Sequence, residues 1–422
     1  MPTVAFAALF RRHLLFTLLN LAGLAVGIAA FLLVSLYVAE EGVVDHGFTH
    51  AERLYRVGGA LNVGGQSIKL SFAPTELPIP LKQEVPEVEA AARMEMDRVM
   101  MGTAPRFFEQ QILWADPNFL QVLDYPLEQG DAATVLARPD GVVITRDLAR
   151  TLFGDADPIG RTVEVKRGGI ILTVTGILAP VPQSHLRFAA IAADAARGDK
   201  SWAHMTGSWS DIRGAATYIR LAQGASAQAV AAGLPAFVNR HNPPAPDQAG
   251  AGAENILSLR LDPVPDIYLH IRSLGDVSMG DVGTLQILAG VALLILGIAI
   301  ANYTNMATAQ AINRAREVGI RKLVGARRRQ LVALFTGEAV VLAALGTLAA
   351  LALMEVAMPA FQALVGRGVG LAPLTRGWLL PLLLVTPLLV GVLGGFYPAL
   401  VLSGYRPGEV LKGRAQAPAL GR

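Results

Sequence analysis

The residues of this 422-residue chain whose types could do chemistry are its histidines, hydroxyls and lysines. His46, His50, His185, His204, His241 and His270 show no H-E-x-x-H spacing and have no cysteine near them, because the chain has none. That composition excludes disulfides, thiolate metal sites and cysteine nucleophiles, and leaves the redox compartment open. Asp45-His46 with His50 could hold a metal as a pair, but a polar turn is the simpler reading. Gly207-Ser208-Trp209-Ser210 lacks the closing glycine of a nucleophile elbow. None of the six lysines follows a glycine, so no G-x-x-x-x-G-K-[ST] phosphate loop exists in these residues. No acid, base or metal constellation marks an enzyme.

The densest chemistry is ionic. Between Arg314 and Arg329 stand Arg314, Arg316, Arg321, Lys322, Arg327, Arg328 and Arg329 against one acid, Glu317. Glu317 and Arg321 form an i,i+4 pair in the favourable order on a helix. Ile312, Val318, Ile320, Leu323 and Val324 are expected to supply its apolar side. Gly325 can take the left-handed conformation that ends a helix. A short basic helix of this kind suits either an anchor on lipid headgroups or a docking element for a cytoplasmic partner. Composition alone leaves both open.

The elements that hold this segment are hydrophobic. The chain is 53% hydrophobic and 16% charged, with a mean hydropathy of +0.44; soluble proteins carry about 25% charged residues. The shortfall is confined to four stretches long enough to span a bilayer: Leu14–Val38, residues 282–303, residues 331–354 with Glu338 near the start, and Gly377–Ser403. The first is too long for the apolar core of a signal peptide and is expected to stay uncleaved. No charge occurs from Val282 to Asn313, a stretch of about 48 Å as a helix, so the second helix is expected to protrude from the membrane. Lys and Arg cluster before span one (Arg11, Arg12), between spans two and three, and after span four (Arg406, Lys412, Arg414, Arg422). The positive-inside rule then puts both termini and the 2–3 connection in the cytoplasm. The net charge of +3 is thereby explained as topology, with no nucleic-acid partner. Gly23 with Gly27 and Gly391 with Gly395 have the G-x-x-x-G spacing that lets membrane helices approach closely.

Residues 39–281 read as an extracytoplasmic α+β domain of two lobes. Gly141–Thr145 is expected as a strand and Arg146–Phe153 as the helix after it. Arg161–Val165 and Ile170–Ile177 form a hairpin turning at Arg167-Gly168-Gly169. Thr217–Leu221 and Asn255–Leu261 are strands, and Ser226–Asn239 a helix. The Pro/Gly-rich run from His241 to Gly252 is a loop or lobe boundary. The fold class is thus a multi-pass α-helical membrane protein with four transmembrane helices and an α+β outer domain.

Several blocks resemble the MacB/FtsX-like family of ABC transporter permeases. They are Asn302-Tyr303-x-Asn305, the run from Arg314 through Glu317, Gly319, Arg321, Lys322 and Gly325 to Arg328, and Phe335-x-x-Glu338. Phe396-Tyr397-Pro398-Ala399 with Pro407 and Leu411-Lys412 resembles the family's ending. Asn20-Leu21-x-Gly23, Leu54-Tyr55-Arg56-Val57 and Asp155-x-Asp157-Pro158-Ile159-Gly160 resemble its N-terminal half. The resemblance implies a cytoplasmic segment 1–13, a MacB-like periplasmic core domain at 39–281 and an FtsX-like permease domain at about 284–412. It also implies a coupling segment at 304–330, a short periplasmic loop at 355–376 and a cytoplasmic tail at 404–422. It implies a bacterial inner-membrane permease dimer, homo- or heteromeric, working with a separate ABC ATPase that binds ATP and Mg; no cofactor is expected in this chain. Arg314, Arg316, Glu317, Gly319, Arg321, Lys322, Gly325 and Arg328 would be the coupling element. A periplasmic adaptor is a possible further partner. Alternatives within reach of the same motifs are a regulator that activates a cell-wall hydrolase, and a membrane sensor without an ATPase. Members with this N-terminal style often carry two tandem four-span units; one is seen here.

Overall fold

The computed structural model describes residues 14–63, 66–180, 183–202, 209, 214–243, 256–276, 279–365, 370–375 and 377–404. In chain order the elements are α1 (Leu14–Gly42), β1 (Leu54–Val63), β2 (Gln66–Lys69), α2 (Pro78–Glu84), β3 (Val88–Thr103), β4 (Arg106–Ala115), α3 (Phe119–Leu123) and β5 (Leu127–Gln129). Next come β6 (Gly141–Thr145), α4 (Arg146–Phe153), β7 (Thr162–Val165), β8 (Ile170–Leu178), β9 (Ala190–Ala193), β10 (Ala216–Leu221), α5 (Ala227–His241), β11 (Leu257–Pro263) and α6 (Val264–Ile267). Three long helices follow: α7 (Val282–Leu323), α8 (Arg328–Val365) and α9 (Leu379–Gly404). Two compact units result: residues 43–282, and the helices that precede and follow them in sequence.

The outer unit is one sheet in the order β11-β1-β10-β3-β4-β9-β6-β8-β5, with β2 on β1 and β7 joining β3 to β8. Its backbone is the long hairpin β3–β4, paired from Met94↔Ala115 to Thr103↔Arg106. The pairs β4–β9 and β6–β8 are parallel, so the sheet is mixed. Strand β6 reads Gly-Val-Val-Ile-Thr, apolar and buried from Gly141 to Ile144, because both of its faces are covered. The Thr145 hydroxyl then accepts from Leu148 N–H and caps α4, and Gly154 at φ +64° ends it. Along β4 the side chains alternate: Ile112 and Trp114 enter one core, Leu113 and Ala115 another. The first core lies under α4 with Val142, Ile144 and Val174. A third, of Val57, Leu77, Leu81, Ile219, Leu234 and Phe237, lies under α2 and α5. The two lobes read from the sequence are therefore two ends of a single sheet.

Arg56 and Asp45 are among the charged groups buried in this unit. Arg56 on β1 is 2% exposed. It donates to Asp262 Oδ2 from Nη2 at 3.0 Å and from Nε at 3.3 Å, and also pairs with Asp276. Asp45, at φ +65° and fully buried, accepts from the His185 backbone N–H at 2.9 Å and pairs with its Nδ1 at 2.8 Å. The His185 Nε2 and the Tyr218 hydroxyl are 2.7 Å apart. Asp45 is thus a fold residue. His46 Nδ1 bonds its own turn at Val44 O, and His50 faces Asp124 at 3.7 Å. The strand expected from Asn255 runs Leu257–Pro263, and the Pro/Gly-rich run beyond Pro243 lies outside the described residues, as do Gly207, Ser208 and Ser210.

The second unit is built on α1, whose Leu24, Ile28, Leu32 and Leu36 recur every fourth residue and are all buried. They meet Ala292, Leu296 and Tyr303 of α7, Ala343, Ala350 and Met354 of α8, and Val390 of α9. Among the described residues, four helices are long and apolar enough to cross a membrane. Two of them, α7 and α8, run far past the spans read from the sequence. The helix read as ending at Met354 continues to Val365 through Pro359, so the loop read as 355–376 begins only after it. Proline there forfeits one backbone hydrogen bond but does not end a helix whose neighbours favour it. Helix α7 is continuous over 42 residues, about 63 Å.

Candidate functional site

The basic segment forms an elbow between α7 and α8. Gly325 has φ +96°, a conformation that costs other residues a clash of Cβ with the backbone. Its N–H bonds Lys322 O at 3.0 Å, and Ala326 N–H bonds Arg321 O at 3.0 Å. These two bonds make the Schellman cap that closes α7. Two residues later, Arg327 N–H donates to the Gln330 side chain at 2.9 Å, which starts α8.

The inner side of the elbow packs on the end of α9. Val318, Leu331 and Phe335 join Ala399, Val401 and Leu402 in a small buried cluster, with Ala326 against it. Ionic contacts fix the same junction. Lys322 Nζ donates to Ser403 O at 2.7 Å, and Arg328 Nε to Ser403 Oγ at 3.2 Å. Two cations thus meet the carbonyl end of α9, where the helix dipole is negative. Burial, and second the Arg328 guanidinium, hold Lys322 below the ordinary lysine range. Ser403 is the residue that sequence reasoning missed; only its place at the end of an apolar run, opposite a basic loop, could have signalled it.

The outer side carries Glu317 and Arg321, paired at 2.8 Å. Arg321 Nη1 is shielded from solvent and finds no acceptor among the described residues. The apolar side read from the sequence is corrected here. Val318 faces inward beside buried Gly319, whereas Ile320, Leu323 and Val324 are 52%, 63% and 85% exposed. At roughly 100° per residue, positions 320, 323 and 324 share one face and 318 lies opposite. The elbow therefore presents an aliphatic tip flanked by Arg327, Arg328 and Arg329. The side chains of Ile312, Arg314 and Arg316 lie outside the described residues.

Glycines set the helix spacing above the elbow. A Cβ on Gly27 would come within 2.4 Å of Ala299 Cβ, and one on Gly23 within 3.2 Å of Asn302 Nδ2. On α9, a Cβ on Gly391 would meet Val340 Cα at 2.4 Å and one on Gly395 would meet Ala339 Cβ at 2.3 Å. Gly394, which the sequence did not single out, receives the Tyr303 ring, 2.5 Å from an added Cβ. Thr304 Oγ1 then donates to Gly394 O at 3.2 Å. Thus Tyr303 and Thr304, of the Asn302–Asn305 block, tie α7 to α9, and Asn302 faces α1. A cavity of 70 Å³ lies between them, lined by Asn20, Gln310 and Glu338.

Comparison with known proteins agrees with both halves. Residues 17–237 match the MacB-like periplasmic core domain, and residues 289–407 the FtsX-like permease C-terminal domain. The chain is 24% identical over 375 residues to the macrolide export ATP-binding/permease protein MacB of Bdellovibrio bacteriovorus, covering 85% of this chain and 52% of that protein. It is 24% identical over 441 residues to MacB of Rhodopirellula baltica, covering 95% and 60%. The chain thus spans between about half and three-fifths of these relatives' length. A domain of a permease protein from Porphyromonas gingivalis aligns with 57% of the chain and 98% of its own length, at 21% identity and TM-score 0.44. With four apolar helices and both domain matches in one sequence, the chain is a multi-pass membrane protein that belongs to the MacB/FtsX-like family of ABC transporter permeases.

Proposed function

We propose that this permease receives force from an ABC ATPase at the α7–α8 elbow and passes it to the outer unit for export or mechanical work across the envelope. The observation that carries the reading is the elbow itself. Its aliphatic tip is exposed, Arg321 pairs with Glu317 through Nη2 while its Nη1 finds no acceptor among the described residues, and its inner side is bolted to α9. An exposed aliphatic tip ringed by arginines suits a groove with an apolar floor and acidic rim. Lys322 and Arg328 face the bundle and would transmit motion; Ile320, Arg321, Leu323 and Val324 would dock. ATP and Mg would be bound by the ATPase, since these 422 residues contain no phosphate loop. The curated relatives carry both activities in their names, macrolide export and ATP binding. By the positive-inside rule, the arginine-rich flanks support a cytoplasmic side for the elbow and both termini.

The test is to reconstitute the full chain with the ATPase that copurifies with it. Glu317→Lys combined with Arg321→Glu keeps an i,i+4 ion pair but reverses its polarity. Stimulation of ATP hydrolysis should be lost while membrane insertion stays at the wild-type level. Equal stimulation by variant and wild type would remove the elbow from the coupling path.

A further inference from the structure

The outer unit contains a cavity of 610 Å³ beside α2 and the end of β4. That is within the range of about 300–1,000 Å³ found for small-molecule sites. Its apolar walls include Ile79, Pro117, Leu136, Trp202 and Trp209. Both indoles are buried and held in place. Trp202 donates its backbone N–H to Asp194 Oδ2 at 2.8 Å, and the Arg93 guanidinium lies 4.8 Å above its ring. Trp209 stacks on His241 at 4.7 Å and meets Phe237 edge-on at 5.7 Å. Walls fixed before a ligand arrives lower the ordering cost of binding it.

The charges in these walls are closed on protein partners. Arg93 grips Asp116 with two prongs, Nε to Oδ2 at 3.0 Å and Nη2 to Oδ1 at 2.9 Å, and its backbone N–H adds a third bond to Oδ2 at 2.7 Å. Asp194 accepts from Ser201 Oγ at 2.7 Å and pairs with Arg197 at 3.3 Å, which in turn pairs with Glu95 at 2.6 Å. His241 Nε2 lies 2.6 Å from Glu84, and Glu76 has a partner of its own. Carboxylates whose oxygens are already taken by protein donors offer a ligand neither a free counter-charge nor an acceptor in need of a donor. A charged ligand entering here would shed its hydration and recover little of it. An uncharged apolar molecule gives up nothing comparable and covers the indole, proline and leucine surfaces. We propose that this cavity binds an uncharged, largely apolar small molecule. The site belongs to the outer unit alone and stands whether or not the elbow couples to an ATPase.

The experiment uses the full chain in nanodiscs of zwitterionic lipid, with 5-fluorotryptophan at its four tryptophans and single Trp→Phe variants to assign the fluorine resonances. Trp202 and Trp209 report the cavity. Trp114, 2% exposed in the core under α4, reports folding, and Trp378, 55% exposed just before α9, is the reference for probe dissolved in lipid. N-phenyl-1-naphthylamine and 8-anilino-1-naphthalenesulfonate share one ring skeleton, without and with a charge. Acridine and 10-methylacridinium, at alkaline pH, are the neutral and cationic forms of another. In wild type the neutral probes should shift Trp202 and Trp209 saturably, and each charged twin should bind at least about tenfold more weakly. Ala137 and Ala195 are exposed residues on the cavity wall, so Ala137→Phe/Ala195→Phe fills the space without entering the core and should abolish those shifts. Asp116→Asn leaves the Arg93 guanidinium without its counter-charge and should narrow the gap between the naphthylamine and the sulfonate about threefold. No saturable shift at Trp202 and Trp209 in wild type, or the same shifts in a filled variant with a native Trp114 resonance, would overturn the site. A charged probe as tight as its neutral twin in wild type, or an unchanged ratio in Asp116→Asn, would overturn the uncharged assignment even if the filled variant failed to fold.

Discussion

Arg56 shows what a single residue contributes here. A buried guanidinium is costly unless every prong is answered, and Asp262, Asp276 and Ser273 answer it. Arg56→Met would leave two carboxylates buried, with Arg260 still reaching only Asp262. The loss should be about 3–5 kcal/mol, seen as a clear fall in the melting temperature of the purified chain. Arg56→Lys keeps the charge without the planar fork and should fall between the two. An unchanged melting temperature in Arg56→Met would mean that the network does not hold the sheet. Leu54-Tyr55-Arg56-Val57 was legible as a motif, but its partners were not. Asp262 and Asp276 lie 206 and 220 residues further along the chain, and nothing local marks an acid as the partner of a distant arginine. The same limit hid Ser403 from Lys322, and Tyr218 from His185 and Asp45.

Local elements were more legible than contacts between them. β6, α4 and the β7–β8 hairpin follow from a short apolar run, a cap and a Gly-Gly turn, all written within a few residues. The mixed order of the sheet is not local: β9 inserts between β4 and β6, and no periodicity encodes that. At the elbow, charge count and Gly325 were readable, but the direction of each apolar side chain depended on helix phase against α9. Gly325→Ala tests the cap separately from packing, since an added Cβ would meet nothing within 4 Å. Its cost is the left-handed backbone alone, about 1 kcal/mol, so the chain should fold while ATPase stimulation falls as the tip reorients. Normal stimulation would show that the cap angle is immaterial. Gly391 differs in kind, because its neighbour at 2.4 Å is the Val340 backbone, which no rotamer can move aside. Gly391→Ile should force α8 and α9 apart, costing about 1–3 kcal/mol or more, and reduce the yield of folded chain on size-exclusion chromatography. A wild-type yield would refute the close approach.

At the scale of the whole chain, the claim is that one continuous helix carries the signal through the membrane. Helix α7 is about 63 Å long, against a hydrocarbon layer of roughly 30 Å. About half of it must project, and its charges decide the side: the first 32 residues, Val282 to Asn313, have none, and the last ten carry Arg314, Arg316, Arg321 and Lys322. By the positive-inside rule such an end is expected in the cytoplasm, and residues 43–282, entered at the opposite end of α7, are then expected outside. Because the sequence contains no cysteine, single cysteines report this without a background. Val324→Cys, at the 85% exposed tip, should react with a membrane-impermeant maleimide only after the cells are permeabilised. Asp131→Cys, on the exposed surface of the outer unit, should react in intact cells, and Ala350→Cys, buried in the bundle, in neither. Labelling at 324 from outside, with 131 protected, would invert the topology and remove the elbow from any cytoplasmic ATPase.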